Sequence, residues 1–263
     1  MNHIGDAIIR IGPALVIVMV VLAAIAVTVN VTASSGHGRD TVVAVIRAVV
    51  QLAALAAILA VVIGTLWASS LFVGVMALAA AWTSAGRITR DTGPGASGRR
   101  WPPLRSCALC LLPVAVPTIV VVLAIVAVGV LPATGIAIIP TAGIMFGGAM
   151  NTASLAGRHA HDELRSRYGE VEAALSLGFG LRDARLEVVR PAAATALIPG
   201  LDQTRSVGLV TIPGAFVGMV LGGASTTAAA IMQLFVLVAL LAVSAIAVLT
   251  TTELVSRGYL DTV

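Results

Sequence analysis

Long apolar runs alternate with short charged stretches along most of this chain. Seven runs, at 13–33, 42–63, 66–85, 107–131, 134–156, 206–223 and 228–250, lie close to the roughly 20 residues that a helix needs to cross a hydrocarbon core. Backbone N–H and C=O groups facing lipid must be paired within their own segment, so each run is expected to be helical. The alternating ten-residue segments of a membrane β-barrel are not present. The pattern therefore predicts an all-α polytopic membrane protein of about seven transmembrane helices, forming one permease-like domain over 1–263. The first run could be read as a cleaved signal peptide, because Arg10 precedes it and Thr32-Ala33-Ser34-Ser35 is small. Its length, and the second run close behind it, favour a retained span.

Composition agrees with the pattern: 59% of residues are hydrophobic and only 11% charged, against about a quarter charged in soluble domains. The mean hydropathy is +1.04. All 16 basic residues are arginine, which makes orientation easy to read. With the N-terminus outside, Arg10 alone flanks the outer face, while Arg39, the 86–106 loop, the 157–190 loop and Arg257 fall inside. The positive-inside rule then gives N-out, C-in, with both loops cytoplasmic, in a multi-pass protein of the cell inner (plasma) membrane. The high isoelectric point follows from the same arginines and does not point to nucleic acid.

The 157–190 stretch carries the most information. Leu164, Tyr168, Val171 and Leu175 recur at helical spacing, with acids and arginines on the other faces. Gly178-Phe179-Gly180 should bend the chain, and a second short helix should follow from Leu181 to Val189 before Pro191 opens the next buried segment. Six arginines and six acids cancel here. Glu172 offers a charge to a partner, Ala173 and Ala174 allow close approach, Gly178 permits a tight turn, and Arg182 adds a charge beyond it.

The order Glu172-Ala173-Ala174, Gly178, then Val188-Val189-Arg190-Pro191 resembles the EAA loop of ABC transporter permeases, with Val for the usual Ile and Arg190 for the usual Leu. Ile46 to Leu52, Gly148 to Leu155 and Ser206 to Gly214 extend the likeness to the FetB-like (YbbM-type) iron-export permease family, whose relatives include plant aluminium-tolerance permeases. One departure is Gly222-Gly223-Ala224-Ser225-Thr226-Thr227, where a proline would be expected after the outer Gly-Gly turn. The resemblance implies a half-size permease that forms a homodimer, sits in the lipid bilayer and docks a separate ABC ATPase subunit on the 157–190 loop. It also implies export as the direction of transport. ATP and Mg would then be bound by that partner. The chain itself has no lysine, so no G-x-x-x-x-G-K-[ST] phosphate loop occurs in it.

Polar residues within or beside the spans are candidates for a transport path or gate. Arg47 would cost about 2.5–3.5 kcal/mol at mid-membrane, but its span holds thirteen Val, Ile and Leu residues, worth roughly −0.3 to −0.6 kcal/mol each. Gln51 shares its face at i+4. Met150 and Asn151 are further path candidates. Asp202 and Arg205 are spaced to pair at i, i+3, and either close a gate or mark an interfacial break eased by Pro199-Gly200. Gly214, Gly218 and Gly222 form a small ridge suited to close packing, within the monomer or at a dimer axis. Pro113, Pro117, Pro140 and Pro213 should kink their helices. Cys107 and Cys110 read as ordinary helix residues, and His159 and His161 as a solvated pair.

Metal ligation is not assigned to any residue by the sequence, and Met145, Met150, Met219 and Met232 are as readily packing residues. A gradient-driven secondary carrier without an ATPase partner is the alternative, although no carboxylate sits clearly at mid-membrane. An enzyme is not expected, because no G-x-S-x-G or H-E-x-x-H motif is present and no histidine falls within an expected span.

Overall fold

A computed structural model describes residues 12–33, 38–89 and 102–260. The described residues are helical, with one isolated bridge between Val207 and Thr211 in place of any strand. In chain order the helices are α1 (Pro13–Thr32), α2 (Gly38–Val62), α3 (Leu66–Ile88), α4 (Leu104–Ala127), α5 (Gly135–Ser166), α6 (Tyr168–Ser176), α7 (Leu181–Ala194), α8 (Ile198–Ser206), α9 (Gly214–Leu221) and α10 (Thr226–Ser256). A 3-10 turn, Thr195–Leu197, separates α7 from α8.

Contacts divide the chain into two units, Met1–Val62 and Ile63–Val263. In the first, α1 and α2 pack as a pair, and Asn30 Nδ2 donates to Thr41 Oγ1 at 2.8 Å. In the second, α5 packs against α3, α4, α7 and α10. Its centre is made of small and branched residues, Ala77, Val114, Ala142, Met145, Ala149, Ala153, Val243 and Ala247 among them. Lipid is as apolar as leucine, so close backbone approach rather than water exclusion drives such packing.

Among the described residues six helices, α1, α2, α3, α4, α5 and α10, are long and apolar enough to cross a membrane. The run expected at 206–223 behaves differently. Val207 to Pro213 is irregular, and α9 has only eight residues, about 12 Å at helical rise. Pro213 is the residue before α9 rather than a kink inside a helix. Five glycines in 206–223 and a proline that cannot donate explain the interruption. The segment nevertheless follows α10, which touches α7, the 3-10 turn, α8 and α9 in turn. Pro113 and Pro117 lie inside α4, and Pro140 inside α5, as expected.

Two helices exceed their apolar runs. α5 continues ten residues past 156 to Ser166, and α10 continues past 250 to Ser256. At 32 and 31 residues each is nearly 50 Å long, against a hydrocarbon core of about 30 Å. Ser225 starts α10 by accepting a hydrogen bond on its Oγ from Ala228 N at 3.2 Å.

Candidate functional site

The overhanging ends of α5 and α10 carry the charged segment as a helical hairpin. α6 and α7 fold together because each turns small apolar groups inward: Val171 packs against Ala184 and Val188, with Leu164 and Ala174 at the margin. Val189 continues this face into a second cluster with Ala85, Ile88, Ala160, Leu254 and Val255. α7 is thereby seated against both α5 and α10. Tyr168 and Leu175, expected on the same inward face, point out instead, at 62% and 39% exposure. A helix of nine residues has room for only one buried stripe, and Val171 with Ala174 occupies it.

The bend has the geometry expected of glycine. Phe179 N donates to Ala174 O at 3.1 Å and Gly178 N to Leu175 O at 3.0 Å, the pair of bonds that closes a helix on a left-handed residue. Gly178 has φ +93°. The second helix starts at Leu181 and runs through Pro191 to Ala194, five residues beyond the expected end.

Ionic contacts fix the hairpin to the bundle. Arg182 Nε donates to Glu253 Oε1 at 2.6 Å and its Nη2 to Glu253 Oε2 at 2.8 Å, a two-pronged contact between the first turn of α7 and the last turns of α10. Arg257 Nε shares Glu253 Oε1 at 2.6 Å, and Arg182 Nη1 also reaches Asp183 Oδ1 at 2.6 Å. At the α5–α6 corner, Arg167 donates to Glu163 at 3.1 Å and to Glu170. Hydrogen bonding from Arg167 holds the Glu170 carboxyl below its usual range. His159 Nδ1 lies 2.8 Å from Thr195 Oγ1, and His161 is buried in α5. The two histidines are therefore not a solvated pair; the extra turns of α5 draw them into the packing.

What the hairpin leaves outside is apolar. Leu177 is 79% exposed, and Leu175, Phe179 and Leu181 are also open. Glu172 and Ala173 lie exposed on α6, while Ala174 is half-buried. The docking candidates Glu172, Ala173, Ala174, Gly178 and Arg182 thus share one hairpin, with Pro191 on the far half of α7.

Within the second unit the path candidates do not converge on one place. Arg47 and Gln51 are exposed on α2. Met150 packs at the edge of the central core, and Asn151 Oδ1 accepts from Arg87 Nη1 at 2.8 Å. Asp202 and Arg205 form the expected ion pair at 3.2 Å, with both side chains more than 60% exposed. A Cβ added at Gly214 or Gly218 would meet no atom within 4 Å. Close-packing glycines are elsewhere: a Cβ at Gly157 would come within 2.8 Å of Ile88, and one at Gly148 or Gly135 would come closer still, to Leu240 and to Ser69. Cys107 and Cys110 are free thiols. Among the described residues no group of three or more His, Cys, Asp or Glu side chains could hold a metal ion.

Sequence reasoning missed Glu253, three residues beyond the last apolar run, and the hydroxyl contacts of α5: Ser154 with Ser84 at 3.3 Å and Thr152 with Ser244 at 3.4 Å. Small hydroxyls within apolar helices were the available signal.

Long apolar helices bearing a charged helical hairpin define a polytopic helical membrane protein. The family described as "Uncharacterised protein family (UPF0014)" matches residues 13–260, and the chain belongs to it. Among curated relatives it is similar to Protein ALUMINUM SENSITIVE 3 of Arabidopsis thaliana, at 35% identity over 49% of this chain and 48% of that protein. It is also similar to UPF0014 membrane protein STAR2 of Oryza sativa subsp. japonica, at 36% over 49% and 46%. The Probable iron export permease protein FetB of Escherichia coli (strain K12) is 29% identical over 46% of this chain and 47% of its own. The matched stretch spans about half the length of these relatives. No solved structure matches.

Proposed function

We propose that this protein is the membrane-spanning permease subunit of an ABC transporter, working as a homodimer in the inner (plasma) membrane with its hairpin in the cytoplasm. A separate ATPase subunit, holding ATP and Mg, docks on α6–α7 and drives export of a metal ion or other small solute. The observation that carries this reading is the hairpin itself, a packed unit that presents Leu175, Leu177, Phe179 and Leu181 to solvent at the overhanging ends of α5 and α10. Exposed apolar side chains grouped within a charged segment suit a protein partner rather than water. The open ridge of Gly214 and Gly218 supports a second copy of the chain as neighbour. The name of the FetB relative supports export and iron as cargo. Seven crossings follow if 195–221 climbs the bilayer in pieces beside α10, which keeps the N-out, C-in orientation.

A detergent pull-down of tagged protein against ATPases encoded beside it tests the proposal, comparing wild type with Gly178→Asp. Recovery of an ATPase by wild type and not by the variant is the expected result. Capture by neither, from well-folded protein, would overturn the docking reading and favour a gradient-driven carrier.

A further inference from the structure

We propose that Asp202 and Arg205 line a water-filled cavity at the middle of the bilayer and bind there a small hydrophilic solute without net charge, held by hydrogen bonds to the two side chains. The inference deepens the permease reading above and rests on it for the solute to be cargo. Asp202 and Arg205 are the only charged residues between Arg190 and Glu253. Their depth follows from what the surrounding segment touches. A Cβ at Gly200 would lie 3.7 Å from Leu241 of α10, and Val207 borders the same cavity as Leu234 and Leu237. Residues 202–205 therefore run beside the stretch between Leu237 and Leu241, the centre of the apolar run 228–250.

Gly200 packs on α10, and Asp202, two residues on, lies about 200° around the helix, on the side away from α10. Side-chain exposure agrees, at 62% for Asp202 and 73% for Arg205. Beyond the pair, Gly208, Leu209, Val210 and Thr211 are exposed on backbone that is no longer helical. Hydrocarbon does not suit such a surface. Charged side chains at mid-membrane face a water-filled cavity or the interior of a bundle, and irregular backbone at that depth is found inside protein or along water. The bundle of the second unit lies on the other side of α8. A second copy pressed onto the pair would strip both charges of their hydration, whereas water keeps it.

Arg205 Nη1 donates to Asp202 Oδ1 at 3.2 Å, which engages one atom of each group. The other guanidinium N–H groups can donate and Asp202 Oδ2 can accept, side by side on one exposed face. A solute bearing hydroxyl or amide groups meets both. A bare divalent cation would find one carboxylate with a guanidinium already on it, far from the several oxygen ligands it needs. An inorganic anion would face the same carboxylate. Of the two cargoes named above, the pair thus suits the small solute rather than the metal ion. The site is separate from the α6–α7 hairpin and its test needs no ATPase, so failure here and failure of the docking reading are distinguishable.

The experiment places a cysteine one turn before Arg205, Leu201→Cys, in a Cys107→Ser, Cys110→Ser background reconstituted in phosphatidylcholine nanodiscs. Val238→Cys, at the same depth on α10, is the lipid-facing comparison; both native side chains are exposed. Three small methanethiosulfonates serve as probe solutes, a cationic trimethylammonium, an anionic sulfonate and a neutral hydroxyethyl reagent, each rate normalised to that with a free thiol. The thiolate is the reacting species and forms in water rather than in hydrocarbon, so the neutral reagent should modify Leu201→Cys at least about a hundredfold faster than Val238→Cys. The two charged reagents should react within about threefold of each other, while Asp202→Asn should favour the anionic one and Arg205→Gln the cationic one by about tenfold. Equal rates at the two positions, or slow modification of Leu201→Cys, overturn the cavity, and a disulfide between copies at Leu201→Cys would show instead that two chains close over the pair. A preference of about tenfold for either charged reagent with Asp202 and Arg205 unaltered overturns the uncharged class of solute. Should Leu201→Cys fold poorly, Ser206→Cys, nearly isosteric and one turn beyond Asp202, gives the same reading.

Discussion

Gly178 offers the sharpest test of how the hairpin works, because two causes of failure can be separated by a series of substitutions there. The residue sits at φ +93°, and a Cβ added to it would meet no atom within 4 Å. Space within the chain is therefore ample, and any intrinsic penalty comes from the backbone. For an L-residue with a Cβ, the left-handed conformation costs roughly 1–2 kcal/mol, with Asn paying least and β-branched residues most. The equilibrium constant for closing the hairpin should fall by a factor of about five to thirty for Ala and more for Val, and by much less for Asn. ATPase capture in the detergent pull-down, titrated over partner concentration, shows it as a fall in apparent affinity by at most that factor. The order Gly, Asn, Ala, Val is the expected result. If Asn weakens capture as much as Val does, the backbone argument is refuted and bulk against the partner is the cause.

Further outcomes follow from the packing. Gly157→Val should destabilise the α3–α5 contact by about 1–3 kcal/mol through collision with Ile88, measured as a lower thermal midpoint. Glu253→Gln should loosen α7 from α10, and faster amide exchange over 181–190 would report it; adding Arg182→Ala should bring little extra, since both remove one contact. Arg205→Gln should leave the thermal midpoint unchanged, because the pair with Asp202 is exposed, and abolished transport in a well-expressed variant would instead reveal a gate. Cys107→Ser with Cys110→Ser should leave transport intact, and complete loss would contradict the reading of both as ordinary helix residues.

Hydrophobic runs announced most of the helices because lipid imposes one rule on every residue of a span. The bend at Gly178 was legible for a local reason, since only the identity of the residue decides whether the left-handed turn is cheap. The end of α5 was not. Turns beyond Leu155 are held by burial of Ala160 and His161 against other helices, which periodicity within one segment does not reveal. The 206–223 run misled because hydropathy scores the side chains of Val, Leu and Ile there without regard to Gly208 and Pro213, which interrupt the backbone. The glycine ridge matched a spacing rule, yet a Cβ at Gly214 or Gly218 would meet no atom within 4 Å, whereas Gly157 is pressed against Ile88.

One helix, α10, touches both α7 of the hairpin and the broken segment 195–221. Glu253 and Gln233 are twenty residues apart on α10, about 30 Å at helical rise, the thickness of the hydrocarbon core. Between them α10 is uninterrupted and contains no proline. A displacement applied to α7 thus enters a lever at Glu253 and emerges at Gln233 without crossing a hinge. The broken strip of 195–221 lies along that lever, so the stiff element would deliver the motion and the jointed one would yield to it.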